Sequence, residues 1–309
     1  MSEQRIRPRS VLALGMFDGV HLGHQALLRQ AAEAARALDA CTVAFTFTDA
    51  PGKLLHLPVT SPSTPDQRTR WLREAGAERV DMVDFTQEFA DLSPEGFIAY
   101  LQERYDIAAL AAGFNYTFGK YGAGTADTLR ELGEKHGFQV LIAEPVLVDG
   151  EPVSSTRIRA LVNEGRMEDA ETLLGRPYTL CGPVVSARHI GHALGYPTAN
   201  VETGEQLLPP DGVYAALALV DEAEHPAVTN VGKNPTVAGK RRTVETYILD
   251  ESLSLYGQNL SVAFLARLRE ERTFSSLDAL SEQIGRDVAA AKKLFISKKK
   301  TVYNPKGLW

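Results

Sequence analysis

The sequence has few cysteines, no long apolar run and no excess of positive charge. Only two of its 309 residues are cysteine, and Cys41 and Cys181 lie far apart, so neither a disulfide framework nor a cysteine-based metal site can be built. No apolar run approaches the roughly 20 residues that span a bilayer. The polar first residues, MSEQRIRPRS, lack the apolar core of a signal peptide. We therefore expect a cytoplasmic protein without membrane contact.

The charge balance limits the kinds of partner. A net charge of -6 and a pI near 5.7 argue against a general nucleic-acid binder, because phosphate backbones are attracted by a basic field. The basic stretch KKLFISKKKTVYNPK near the carboxyl end is interpreted as a solvated helix end. The expected partners are small-molecule substrates, and the oligomeric state stays open.

The order of apolar runs predicts two domains, 1–175 and 176–309. In residues 11–143, short apolar runs alternate with helical patterns, which predicts an α/β doubly wound parallel sheet covered on both faces. After GRPYTL, strand-like runs follow one another without helices, which predicts an antiparallel barrel or sandwich. One amphipathic helix closes the chain, starting at a capping box formed by Ser275 and Asp278.

The stretch GMFDGVHLGHQALL places two histidines where the first long helix begins. Its glycines allow close backbone approach to a ligand, and a helix N-terminus offers free N–H groups and partial positive charge to an anion. His21 and His24 are three residues apart and can share one face of the first turn. The pattern favours a phosphate site; a glycine-rich turn with two exposed histidines is the alternative.

The stretch SSTRIR, residues 154–159, is a second candidate for phosphate contact. Ser155 or Thr156 can cap the helix that follows. Arg157 and Arg159 fall in the first helical turn, where positive charge is unfavourable unless it faces an anion. Imidazoles together with guanidinium groups suit phosphoryl or nucleotidyl transfer, in which positioning and charge stabilisation do most of the work.

The third constellation lies in the second half of the chain. Thr198 and Asn200 in GYPTAN offer hard oxygens of the kind that Mg2+ prefers, although this segment is also an ordinary turn. Glu245 lies inside the apolar strand VETYILD, where neither face is plainly solvated. A buried carboxylate is costly and is a candidate base; a salt-bridged glutamate on an edge strand is the alternative.

Segments along nearly the whole chain resemble the bifunctional riboflavin kinase/FMN adenylyltransferase family, the prokaryotic FAD synthetases. FDGVHLGHQ is similar to its HxGH signature and SSTRIR to its SSTxxR signature. GFNYTFGKYGAG and LLGRPY resemble further family segments, and LGYPTAN, NVGKNPTV and VETYILD resemble the riboflavin kinase module. The resemblance implies a nucleotidyltransferase domain followed by a small β-barrel kinase domain with a C-terminal helix.

The resemblance also implies two reactions and the residues that perform them. Riboflavin would be phosphorylated by ATP to FMN in the second domain, and FMN would be adenylylated to FAD in the first, with Mg2+ required for both. His21, His24 and Glu245 would be catalytic. Asn115 would contact the flavin, and Thr198 and Asn200 would bind Mg2+. The residues implied in ATP and phosphate binding are Gly15, Phe17, Asp18, Gly23, Ser155, Thr156, Arg157, Arg159, Thr198 and Asn200.

Departures from the family pattern keep alternatives open. TFTDAPGKLL lacks the histidine usual after the second strand, and Ile190, His192, Asn234 and Val237 stand where other residues are usual in the kinase half. One alternative is an FMN adenylyltransferase with a degenerate kinase domain. Others are a non-catalytic flavin-binding regulator and an HxGH nucleotidyltransferase with another phosphorylated acceptor.

Overall fold

The computed structural model describes residues 7–49, 52, 60–186, 195–221, 223–236, 239–251, 253 and 255–301. The chain divides into two compact units, Met1–Ser155 and Thr156–Trp309. The strands are β1 Arg9–Leu14, β2 Cys41–Phe47, β3 Arg79–Val83, β4 Asp106–Gly113, β5 Gln139–Ala143, β6 Leu147–Val148, β7 Glu151–Pro152, β8 Tyr178–Val185, β9 Ala199–Val201, β10 Gly212–Val220, β11 Ala223–Thr236, β12 Gly239–Ile248 and β13 Asn259–Glu270. The helices are α1 Leu22–Ala37, α2 Pro65–Glu74, α3 Gln87–Ala90, α4 Pro94–Gln102, α5 Ala126–His136, α6 Ser155–Glu164, α7 Met167–Leu174 and α8 Leu277–Thr301.

The first unit is a five-stranded parallel sheet in the order β3-β2-β1-β4-β5. Its strands are apolar on both faces because helices cover both. On one face Val11 and Ala13 of β1 join the core under α1 and α2, and on the other Leu12 and Leu14 join the core under α4 and α5. The predicted doubly wound sheet is confirmed.

The strand order indicates that a ligand would bind at the end of β1. The chain crosses from β1 to β2 on one side, and β4 flanks β1 on the other side. In open α/β sheets, ligands bind where the strand order reverses, beyond the carboxyl ends of the strands. Residues 15–21 follow β1 and Asn115 follows β4, so both segments lie at this edge.

The second unit contains a closed barrel in the order β10-β11-β12-β9-β8-β13, with antiparallel neighbours. Tyr178, Tyr214 and Phe264 are fully buried inside it, and the Thr229 and Thr246 hydroxyls are hydrogen-bonded at 3.0 Å. Closure decides between the two predicted possibilities in favour of a barrel. Helix α7 packs on β8 and β13, and α8 packs across the outside of β10, β11 and β13.

The predicted C-terminal helix is also present, but its start differs by one residue. It begins at Leu277, and the Ser276 hydroxyl accepts a hydrogen bond from the Ala279 amide at 3.2 Å. Ser276, rather than Ser275, therefore caps it. Among the described residues, no helix is long and apolar enough to cross a membrane.

Candidate functional site

Residues 15–21, here called the phosphate loop, have a strained backbone. Phe17, Gly19 and Val20 have φ angles of 50°, 74° and 41°. Positive φ is unusual for any side-chain-bearing residue and most of all for a β-branched one such as Val20. Such strain persists only where the surroundings fix it, and it is concentrated at functional sites.

Asp18 is the centre of the hydrogen bonds that fix the loop. Its carboxylate accepts from the Ser61 hydroxyl at 2.8 Å, and its backbone carbonyl accepts from the Ser155 hydroxyl at 3.0 Å. The Gly19 amide donates to the Ser63 hydroxyl at 3.4 Å. Ser155 thus contacts the phosphate loop although it is 137 residues away in sequence.

The two predicted imidazoles lie against each other at the start of α1. Their ring centroids are 3.7 Å apart and the planes differ by 17°. His21 is the N-cap residue, and its Nδ1 accepts from the His24 amide at 3.4 Å. The Phe17 ring meets the His24 ring edge-on, with centroids 5.2 Å apart. The first turn of α1 carries no acidic residue, so no carboxylate of that turn would oppose an anion bound there.

Gly15 and Gly23 stand where side chains would disturb this arrangement. A Cβ on Gly15 would lie 3.2 Å from the Phe17 ring, and a Cβ on Gly23 would lie 3.1 Å from Cε1 of His21. Both contacts are tighter than normal packing, so these glycines leave space for the two rings.

The remaining residues predicted for adenylyl transfer have more open positions. Asn115 is exposed just beyond β4. Thr156, Arg157 and Arg159 belong to the second unit, on α6, which starts at Ser155. Thr156 is exposed, whereas Arg157 and Arg159 are half-buried on either side of the buried Ile158.

A cavity of about 350 Å³ lies between the outer wall of the barrel and α8. Apolar side chains from the strands, the connecting segment and the helix form most of it, including Val213, Val228, Phe274, Leu280 and Ile284. Glu245 and Tyr247 of β12 also line it. Glu245 and Tyr247, two residues apart on the strand, therefore face this cavity, while Thr246 between them points into the barrel.

Glu245 is the middle of a polar row across three strands. It is paired with Asn200 of β9 on one side and with Asn230 of β11 on the other. Directly opposed residues share a face of the sheet. Burial raises the pKa of Glu245, the hydrogen bond from Thr243 lowers it, and the charge of Glu271 raises it. Glu245 and the Asn230 amide line the cavity, and Asn200 lies next to Glu245 on the neighbouring strand.

Thr198 connects this cavity with a second one. It is exposed and lines both the first cavity and a neighbouring space of about 190 Å³. The second space is lined by Thr246, Glu251, Leu253, Leu255 and Tyr256 among others. Two ligands bound in these cavities would therefore approach each other at Thr198.

An ion pair closes the helix side of the first cavity. The Arg269 guanidinium donates to both oxygens of Asp287, through Nε at 2.9 and 3.1 Å and Nη2 at 2.8 Å. Only 13% and 6% of the two side chains are exposed. Gln283 donates to the same carboxylate at 2.9 Å. The pair joins β13 to α8.

Several residues that the sequence reasoning singled out have no described structure. Ile190, His192 and Val237 lie outside the described residues, as does most of APGKLL, and nothing is described for the Asn234 side chain. The sequence patterns did not single out Asn230, Arg269 or Asp287. For Asn230, the local signal was its position as a polar residue inside the otherwise mostly apolar strand segment AVTNVG.

Within the described residues, no group of three or more His, Cys, Asp or Glu side chains could hold a metal ion. Mg2+ in phosphoryl-transfer sites is bound by few protein groups together with substrate phosphates and water. The Thr198 hydroxyl and the Asn200 amide fit that kind of site.

Comparison with known proteins covers both units. A family model described as FAD synthetase matches residues 3–157, and one described as riboflavin kinase matches residues 174–295. The bifunctional riboflavin kinase/FMN adenylyltransferase of Escherichia coli K12 is 35% identical over 293 residues, 92% of each chain. That of Bacillus subtilis 168 is 33% identical over 300 residues, 94% of each chain.

A solved structure covers the same length. The crystal structure of a protein described as a macrolide-efflux protein from Streptococcus pneumoniae is 34% identical, with a TM-score of 0.84 over 92% of this chain and 94% of that one. The fold is therefore shared along nearly the whole chain. Together with the two matched families and the curated relatives, this means that the chain belongs to the bifunctional riboflavin kinase/FMN adenylyltransferase family.

Proposed function

We propose that this protein makes FAD from riboflavin in two steps that use two molecules of ATP. A kinase domain, residues 176–309, transfers the γ-phosphate of ATP to the terminal ribityl hydroxyl of riboflavin and gives FMN and ADP. An adenylyltransferase domain, residues 1–175, joins the FMN phosphate to the α-phosphate of ATP and gives FAD and pyrophosphate. The observation that carries the proposal is the presence of a histidine-bearing phosphate loop and a cavity-facing glutamate, each in the unit that its family requires.

In the first domain, the phosphate loop and the start of α1 would receive the ATP phosphates. The FMN phosphate would attack the α-phosphorus, and the α–β bridging bond would break with pyrophosphate leaving. His21 and His24 would stabilise the negative charge on the transferring group, which is where preorganised donors lower the barrier. Asn115, beyond the neighbouring strand, is assigned to the flavin.

From the resemblance of SSTRIR to the family's SSTxxR signature, we assign Ser155, Thr156, Arg157 and Arg159 to phosphate binding in the same reaction. The Ser155 hydroxyl donates to the carbonyl of Asp18 in the phosphate loop. Arginine binds phosphate oxygens through a planar fork of donors. The two arginines would neutralise the pyrophosphate as it leaves.

In the kinase domain, Glu245 would accept the proton of the ribityl hydroxyl as that oxygen attacks the γ-phosphorus. Its burial favours proton uptake, which suits a general base. The apolar cavity of about 350 Å³ would hold the isoalloxazine ring, and the space beyond Thr198 would hold the nucleotide. Mg2+, held by Thr198 and Asn200 with the ATP phosphates, would neutralise developing phosphate charge.

Two variants of the 309-residue chain test the separation of the two sites. His24→Ala should stop the conversion of FMN to FAD and leave riboflavin phosphorylation at the wild-type rate. Glu245→Gln should do the reverse. Chromatographic separation of the three flavins over time measures both reactions in one sample. A folded His24→Ala protein that loses both activities, or a Glu245→Gln protein with an unchanged kinase rate, would refute the assignment.

A further inference from the structure

Arg68, on α2, is a buried cation that the proposed mechanism does not use. Only 4% of it is exposed. Its Nη2 donates to the carbonyls of Phe47 and Thr48 at 2.7 and 2.9 Å, and its Nη1 donates to the carbonyl of Met16 at 3.3 Å. These carbonyls lie at and just beyond the ends of β1 and β2, so one guanidinium joins the two strand ends behind the phosphate loop.

The Met16 carbonyl is held from two sides. Besides Arg68, the hydroxyl of Thr46 donates to it at 3.0 Å, and Thr46 is fully buried. This carbonyl belongs to the peptide plane between Met16 and Phe17. Fixing that plane restricts the backbone angles at Phe17, where φ is 50°.

Phe17 transmits this constraint to the site. Its ring is fully buried and meets the His24 ring edge-on. A change in the Met16–Phe17 plane would move the Phe17 ring, and the imidazole that packs on it would move as well. Close packing transmits such small shifts because the interior has little free space.

We propose that Arg68 and Thr46 are positioning residues for FMN adenylylation, which set the His24 imidazole through the Met16 carbonyl and the Phe17 ring. Neither touches the reacting atoms. The inference rests on the proposed function of the first domain and adds two residues to it. Burial lowers the pKa of the Arg68 guanidinium, and the nearby charges of Asp18 and Asp49 oppose that shift in part.

The decisive variant is Thr46→Val, which keeps the side-chain volume and removes one of the two hydrogen bonds to Met16. We expect a kcat for FAD formation about tenfold lower, with KM for ATP and FMN within about threefold of wild type, because misplacing a group by about 1 Å costs up to about 100-fold. Arg68→Lys should lose a similar amount, and Arg68→Met should lose about 100-fold. Arg70→Gln is the matched control on the same helix, since Arg70 is exposed and pairs only with Glu74 among the described residues.

Two further readouts separate positioning from general destabilisation. Riboflavin phosphorylation by the same molecules should stay at the wild-type rate. The NMR signals of the His24 ring, shifted by the neighbouring aromatic rings, should move in Thr46→Val and Arg68→Lys, while those of His136, stacked on Phe138, should not.

If Thr46→Val and Arg68→Lys fold, keep the wild-type kcat and leave the His24 signals in place, the inference is wrong, whatever Arg68→Met does. An Arg68→Met protein that fails to fold leaves the decision to the other two variants. A wild-type chain that makes no FAD would refute the proposed function instead, and the His24 signals would still test the positioning.

Discussion

Replacing Gly23 by alanine should separate the activity of the first domain from its stability. Gly23 is the second residue of α1, where alanine is a better helix former by up to about 1 kcal/mol. The new methyl group, however, would lie 3.1 Å from Cε1 and 3.2 Å from Nδ1 of His21. Both distances are below ordinary contact, so the imidazole has to move by a few tenths of an ångström.

Displacement of the His21 imidazole should weaken the N-cap of α1 as well as the proposed phosphate site. Nδ1 of His21 accepts from the His24 amide at 3.4 Å, which is already near the limit of a hydrogen bond. Losing that bond costs about 1 kcal/mol, which offsets the gain in helix propensity. We therefore expect the free energy of unfolding to change by less than about 1 kcal/mol. FAD formation should fall at least about tenfold, because the stacked imidazoles are displaced.

Steady-state rates of FAD formation and thermal unfolding of the same preparation measure the two effects. Gly96→Ala is the matched control, because Gly96 lies in the first turn of α4 and its new Cβ would meet Ser93 and Leu92 at ordinary distances of 3.4 to 3.7 Å. That variant should keep full activity. A Gly23→Ala protein with the wild-type kcat would refute the role assigned to the His21 ring.

Three further predictions concern the stability of the kinase domain, its nucleotide site and the metal requirement of both reactions. Asp287→Ala should cost about 3–5 kcal/mol in the stability of that domain, because it leaves the Arg269 cation buried without its carboxylate. Glu282→Ala, on the same helix but in an exposed pair, should cost less than about 1 kcal/mol in chemical denaturation. Thr198→Val should raise KM for MgATP in riboflavin phosphorylation and leave FAD formation from FMN unchanged; equal loss of both would contradict the site assignment. Chelation of Mg2+ should stop both reactions, and activity that persists in excess chelator would contradict the proposed requirement for Mg2+.

The fold of the first unit was predictable because its signal is local. Strands buried on both faces, such as VLAL and TVAFTF, alternate with amphipathic helices, and that alternation by itself indicates a parallel sheet. In the second half, the same local signal did not distinguish a barrel from a sandwich. Closure of the barrel depends on β9, a strand of three residues that pairs with both β8 and β12. Pairing between distant segments cannot be predicted from the sequence of any one of them.

In the candidate sites, too, some residues were predictable from short motifs and others were not. His21, His24 and Glu245 stand in short motifs whose composition is unusual for their place on a helix or strand. Arg68 and Asp287 look like ordinary helix residues in the sequence, and their partners are carbonyls and a guanidinium far along the chain. Arg68 is 52 residues from Met16, and Arg269 and Asp287 meet only because α8 folds back on the barrel.

Synthesis of FAD from riboflavin is tested most directly by a time course with the purified 309-residue protein. One sample contains riboflavin, ATP and Mg2+, a second contains FMN, ATP and Mg2+, and the flavins are separated chromatographically. We predict that FMN and then FAD accumulate in the first sample and FAD in the second. FAD in the second sample alone would mean that the barrel has no kinase activity, and no product in either sample would contradict the proposed function of both domains.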